Sequence, residues 1–131
     1  MFYHFVIVIV ILHFIGDWLF QSRWMADNKN KFSIEGWDAW FQHIGAYTGT
    51  MLAGMYIFLT VFYPQLVQGP HGPGWVLING IMHGVQDKIT SYFTHKLYEK
   101  KKFHAFFTVI GFDGMLHYLT LFISAKIMFG L

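Results

Sequence analysis

Four long stretches with almost no charged residues constrain the fold most strongly. The second, from Ala39 to Tyr63, contains no Asp, Glu, Lys or Arg. A helix needs about 20 apolar residues to cross the hydrocarbon core of a bilayer. Only 12% of the 131 residues are charged, about half the usual share of a soluble protein. We therefore predict one integral membrane domain, residues 1–131, that folds as an all-α four-transmembrane-helix bundle with spans at about 2–20, 39–63, 75–93 and 105–129.

The positions of the basic residues predict the orientation of the bundle. Lys and Arg are concentrated in the connections 21–38 and 94–104, and the connection 64–74 has none. Cytoplasmic loops carry an excess of Lys and Arg. We expect both basic connections in the cytoplasm and both termini on the other side. The net charge of only +2 predicts no partner by itself; the apolar spans predict the lipid bilayer as partner, and the composition indicates no nucleic acid.

Polar residues inside the predicted spans indicate a functional site, because ionisable groups are costly in a bilayer. Histidine and aspartate lie four residues apart in three spans, which places both side chains on one helix face. Counted along the helices, they share a layer about 6–18 Å inside the cytoplasmic face. The predicted metal ligands are these three pairs and one histidine of the second span: His13, Asp17, His43, His83, Asp87, Asp113 and His117.

The ligand types narrow the choice of metal. Imidazole and carboxylate together favour Zn, Mn or Fe over Mg or Ca, and seven ligands fit either one or two ions. We predict Asp17, Asp87 and Asp113 as candidate catalytic carboxylates, with Gln21 one turn further on as a fourth catalytic candidate. Asn79 extends a second polar face and could also orient a ligand. A proton relay built from the same residues is an open alternative.

The order of these motifs is similar to that of the domain-of-unknown-function 3307 family, which comprises small multi-pass membrane proteins of bacteria and their phages. The similarity implies a bacterial inner-membrane location. It extends more distantly to metal-dependent inner-membrane hydrolases. The motifs that carry it are His13-x-x-x-Asp17-x-x-x-Gln21, Trp24-Met25-Ala26, Lys29, Gln42-His43, His83-x-x-x-Asp87 and Asp113-x-x-x-His117.

The leading functional hypothesis is a metal-dependent hydrolase that acts through a metal-activated water on an anionic phosphoester or lipid-like substrate at the cytoplasmic face. We expect Arg23, Lys88 and the run Lys100–Lys102 at the mouth of the site, where they could hold an anionic group. For the lysine run, topology and attraction to anionic lipid are the simpler interpretation. The alternatives are metal-ion or proton transport, haem or di-iron redox chemistry, and a non-catalytic membrane protein with a structural metal.

Glycine spacings predict close helix packing. Gly45 and Gly49, like Gly80 and Gly84, follow the small-xxx-small pattern that lets helix backbones approach closely. The pattern suits packing within the bundle and a homo-oligomer equally well.

Overall fold

The protein is all-helical, as predicted. The computed structural model describes residues 2–67 and 71–130, and this part of the chain contains no β-strand. Its helical segments are α1 (Phe2–Phe14), a π-helical turn (Ile15–Leu19), α2 (Arg23–Asn28), α3 (Ile34–Phe62), a 3₁₀ turn (Pro64–Leu66), α4 (His71–Glu99) and α5 (Phe103–Phe129).

The long helices extend beyond the predicted spans. Helix α3 begins five residues early because the Ser33 hydroxyl accepts a hydrogen bond from the Gly36 N–H at 3.2 Å, as serine does at many helix starts. Helix α4 includes residues 71–74 of the predicted connection, since proline is tolerated in a first helical turn; residues 68–70 of that connection lie outside the described residues. At its other end α4 runs to Glu99, so only residues 100–102 join it to α5.

Two helices, α3 and α5, are long and apolar enough to cross a membrane. Only 28% of the most apolar window of α3 and 11% of that of α5 is buried. An apolar helix in the core of a soluble protein is mostly buried instead. The segment Tyr3–Leu19 is apolar but shorter, and the polar residues of α4 lower its mean hydropathy. Four spans therefore remain a prediction.

The interior has an apolar half and a polar half. The apolar half is a buried cluster with members on α1, α3, α4 and α5, the four long helices of the bundle. Ile9, Met51, Trp75 and Leu121 are among them. The polar half lies about one helical turn from this cluster. It is at the end of the bundle where α2 joins α1 to α3 and residues 100–102 join α4 to α5. Among the described residues, as many polar as apolar side chains are buried.

The close packing predicted from the glycine spacings is found at the pair on α4 but not at the pair on α3. A Cβ atom added at Gly80 or Gly84 would overlap the Thr48 or Ile44 side chain, so α4 packs closely on α3 there. Nothing lies within 4 Å of the corresponding positions at Gly45 and Gly49. The α3 pair thus makes no close helix contact within the described chain.

Gly36 provides a test of the packing at the start of α3. A Cβ atom there would overlap the backbone oxygen of Lys31, which also accepts a hydrogen bond from the Lys88 ammonium at 2.6 Å. We expect Gly36→Ala to lower the free energy of unfolding by about 1–3 kcal/mol. In the matched variant Gly45→Ala the added methyl group lies in open space. This variant should raise the free energy of unfolding by up to about 1 kcal/mol, because alanine favours a helix more than glycine does. Thermal unfolding in detergent, followed by circular dichroism, measures both. Equal unfolding temperatures would contradict the close contact.

Candidate metal centre

Asp17 lies in the π-helical turn that continues α1. In this turn the Phe20 N–H donates to the Ile15 oxygen, five residues back, at 2.9 Å. Gly16 packs against the Tyr47 backbone, where an added Cβ would lie 3.2 Å from the Cα atom. Single π-helical turns occur often at functional sites. Here the turn carries an aspartate into the centre of the bundle.

Asp17 contacts histidines from three helices. Its Oδ1 atom lies 3.2 Å from His43 Nε2 and 3.4 Å from His83 Nε2. Its Oδ2 atom lies 3.7 Å from His13 Nε2. The Nε2 atoms of His43 and His83 are 3.1 Å apart, and all four side chains are buried. The fold thus brings residues from three separate segments of the chain together.

These contacts form two groups of side chains that could hold a metal ion. One group is His13, Asp17 and His83, and the other is Asp17, His43 and Asp87; the donor atoms within each lie within 4.8 Å of one another. The groups share Asp17. Five of the seven predicted ligands belong to them.

The donor types of the cluster fit a bound metal ion, since imidazoles and carboxylates together suit a transition metal. One oxygen of the cluster has no partner of its own. The Asp87 Oδ2 atom has no hydrogen-bond partner and lies 3.6 Å from His43 Nε2. A buried carboxylate oxygen without a partner is costly, so this atom is open to a hydrogen bond from a bound water or substrate.

Asp113 and His117, also predicted as ligands, lie behind His83 and belong to neither group. His117 Nδ1 lies 3.1 Å from His83 Nδ1, and His117 Nε2 lies 3.1 Å from Asp113 Oδ1. The Thr90 hydroxyl donates to the same Asp113 oxygen at 2.7 Å. Such a chain behind a metal-binding histidine fixes the orientation of its ring. In this geometry Asp113 and His117 position the His83 ring.

Lys29, which the sequence singles out only as part of the motifs shared with the similar family and not as a site residue, is a member of the cluster. Its ammonium donates to Asp87 Oδ1 at 2.8 Å, lies 3.4 Å from His43 Nε2 and donates to the side-chain oxygen of Gln21. The predicted catalytic candidate Gln21 thus meets the cluster through Lys29. Helix periodicity gives no signal for Lys29, because it lies in the connection between α2 and α3.

The prediction that Lys88 lies at the mouth of the site to hold an anion is wrong. Lys88 is buried, and its ammonium donates to the backbone oxygens of Lys29 at 2.7 Å and Lys31 at 2.6 Å. It therefore fastens the connection that carries Lys29. Arg23 is exposed and pairs with Asp27 at 3.6 Å.

Two further polar residues have clear structural roles. The Tyr47 ring stacks on the His83 ring with 3.8 Å between centroids, and its hydroxyl lies 3.3 Å from His13 Nδ1, so Tyr47 positions two histidines. Asn79 donates to the Ser124 hydroxyl at 3.0 Å and to a backbone oxygen one turn earlier. Its contacts therefore join α4 to α5 and do not orient a ligand.

A cavity of about 620 Å³ reaches the cluster. Asp17, Asp87 and Asp113 form part of its wall, together with polar residues between positions 27 and 31 and in the second half of α4. Its lining also includes the exposed residues Asp27 and His95. The cluster is therefore accessible from the end of the bundle that carries the basic connections.

Comparisons of the chain with protein-family models, with curated proteins and with solved structures give no match. The similarity to the domain-of-unknown-function 3307 family therefore stays a prediction from the motifs. The function has to be argued from the chemistry of the site.

Proposed function

We propose that the protein is a four-span protein of the bacterial inner membrane that binds a transition-metal ion and hydrolyses an anionic phosphoester or lipid-like substrate at the cytoplasmic face. The observation that carries the proposal is the buried group of His13, Asp17 and His83 beside a polar cavity. Two histidines and one carboxylate are the protein ligands of several zinc hydrolases, in which a further position stays open to water.

The exterior of the bundle supports the membrane location. Each long helix presents large apolar side chains that are more than half exposed, for example Ile7, Phe41, Ile81 and Phe107. Soluble monomers rarely expose contiguous apolar patches larger than a few hundred Å², whereas lipid tails solvate such a surface. The accessible end of the site carries the basic connections, which favours the cytoplasmic side.

Charge balance favours one ion over two. With neutral histidines, the three aspartates of the cluster and the two buried lysines, Lys29 and Lys88, carry a net charge of −1. One divalent ion changes this charge to +1, whereas two would change it to +3, and buried excess charge is costly in a low dielectric. The Lys29 ammonium also lies among the donors of the second group. The group of His13, Asp17 and His83 is therefore the better metal site.

The surrounding side chains have separate roles in the proposed hydrolysis. A divalent ion, when bound, lowers the pKa of its water towards about 7 and polarises the scissile group. Asp87 Oδ2 is free to accept the proton of the attacking water. Lys29 holds Asp87 through its other oxygen and supplies positive charge beside the substrate's developing negative charge.

The packing of the cluster speaks against two of the alternatives, ion transport and haem binding. On the side away from the cavity, all four long helices continue with buried apolar residues such as Ile9, Met51 and Trp75, which leaves a transported ion no polar route within the described residues. The His43 and His83 Nε2 atoms are only 3.1 Å apart. That spacing leaves no room for a haem between them.

The proposal is tested with protein purified in a mild detergent and supplied with Zn, Mn or Fe(II). Metal content is measured first, followed by hydrolysis of a panel of phosphoesters and phospholipids. We expect Asp87→Asn to retain the metal and to lose at least about 100-fold in rate, the usual size of a general-base effect. The control Asp27→Asn changes an exposed carboxylate of the same cavity and should retain both properties. A metal-loaded wild type that cleaves no member of the panel contradicts the proposal, as does a fully active Asp87→Asn variant.

A further inference from the structure

A second cavity, the α4–α5 groove, has a volume of about 600 Å³. Its deeper part is lined by apolar side chains of both helices, and its end near the α4–α5 connection is lined by lysines. The apolar lining residues are Ile89, Phe93, Leu97, Val109, Phe112 and Leu116. The lysines are Lys96, Lys100 and Lys102.

The three lysines have no anionic partner within the described part of the chain. Lys29 is the one lysine that takes part in a salt bridge there. Glu99, the acidic residue at the end of α4, pairs instead with His95 at 3.2 Å. The Lys96 ammonium lies 4.2 Å from the centroid of the Tyr92 ring, a contact that leaves its charge uncompensated. The groove is thus an apolar slot with three unpaired cations at one end.

We propose that the α4–α5 groove binds a phospholipid with a negatively charged head group. The phosphate would lie at the lysines and an acyl chain along the apolar walls. From Ile89 to Glu99 helix α4 rises about 15 Å, enough for the first half of such a chain. Juxtamembrane lysines attract anionic lipids in this way. The inference rests on the membrane location in the proposed function but not on the metal or the reaction.

The groove is separate from the metal centre, although the two are neighbours. Thr90 lines both the groove and the cavity of the cluster. Its hydroxyl donates to Asp113 Oδ1 at 2.7 Å, and this pair of side chains forms part of the wall between them. Lipid binding should therefore not depend on the metal.

The test is a titration of the protein in neutral detergent with phosphatidylglycerol or phosphatidylcholine, with bound lipid counted by native mass spectrometry. Lys100→Gln/Lys102→Gln removes two charges from the groove. Arg23→Gln/Lys101→Gln removes two exposed charges that do not line it. Each lysine near an anionic surface increases the binding constant about fivefold. We therefore expect the first variant to bind phosphatidylglycerol about 25-fold more weakly. The control should stay within about threefold of wild type.

The variant Val109→Trp fills the apolar part of the groove and keeps every lysine. It should weaken phosphatidylglycerol binding by at least about tenfold, with an unchanged helical spectrum and metal content. Equal losses in the two double variants, or equal affinity for phosphatidylcholine, would overturn the proposal. So would full displacement by glycerophosphoglycerol, which has the head group without acyl chains. The variant Asp17→Asn should bind the lipid like wild type, so the lipid site and the hydrolase can fail separately.

Discussion

Asp17→Asn is expected to weaken metal binding by at least about 100-fold, more than any other single change in the cluster. Replacement of residues that merely support a metal ligand costs about 10–100-fold in affinity, and Asp17 is shared by both groups of candidate ligands. Asparagine removes the negative charge and leaves one oxygen where Asp17 presents two, of which one faces His83 and the other His13. Metal content after equilibration with buffered Zn or Mn measures the loss.

Substitutions of two further carboxylates provide comparisons for this result. Asp113→Asn should weaken binding by about 10–100-fold, because it disturbs only the support of His83 through His117. Asp27→Asn should leave the affinity unchanged, since its side chain is 66% exposed. An Asp17→Asn protein with a full complement of metal would contradict the site. An effect of Asp113→Asn as large as that of Asp17→Asn would instead make Asp113 a direct ligand, as the sequence predicts.

The sequence predicts the members of the cluster better than their roles. Helix periodicity places His13 beside Asp17 and Asp113 beside His117, and the structure shows both pairs in contact. Periodicity cannot indicate which faces of different helices meet, so it does not separate candidate ligands from positioning residues. The approach of Asp17 to α3 and α4 also depends on a π-helical turn, and the spacing of four residues gives no sign of it.

The irregular connections are where sequence reasoning is weakest. Charge counting places Lys29 and Lys88 alike near the cytoplasmic surface, because a lysine in a bilayer is costly. The structure buries both, because each ammonium finds oxygen partners: a carboxylate for Lys29 and two backbone oxygens for Lys88. Those partners lie 57 to 59 positions away in the chain. No local pattern specifies such contacts.

Lys88→Met should produce the largest loss of stability. Methionine has a similar length but leaves the backbone oxygens of Lys29 and Lys31 without their donor. It also removes a cation that lies 4.4 Å from the Trp37 ring centroid and 4.9 Å from that of Phe32. Hydrogen bonds to a charged group contribute about 1.5–3 kcal/mol each. We expect the free energy of unfolding to fall by about 3–5 kcal/mol and the midpoint of thermal unfolding by about 10–15 °C.

Lys126→Met is the matched control, because Lys126 is an exposed lysine in the last turn of α5. Its effect should stay within about 0.5 kcal/mol, as for most surface substitutions. Thermal unfolding of both variants in the same detergent, with circular dichroism at 222 nm as the signal, gives the comparison. Because Lys88 holds the backbone of the segment from which Lys29 reaches Asp87, its loss should also lower the metal affinity at temperatures where the helices are intact. An unchanged melting temperature would mean that this connection does not depend on Lys88.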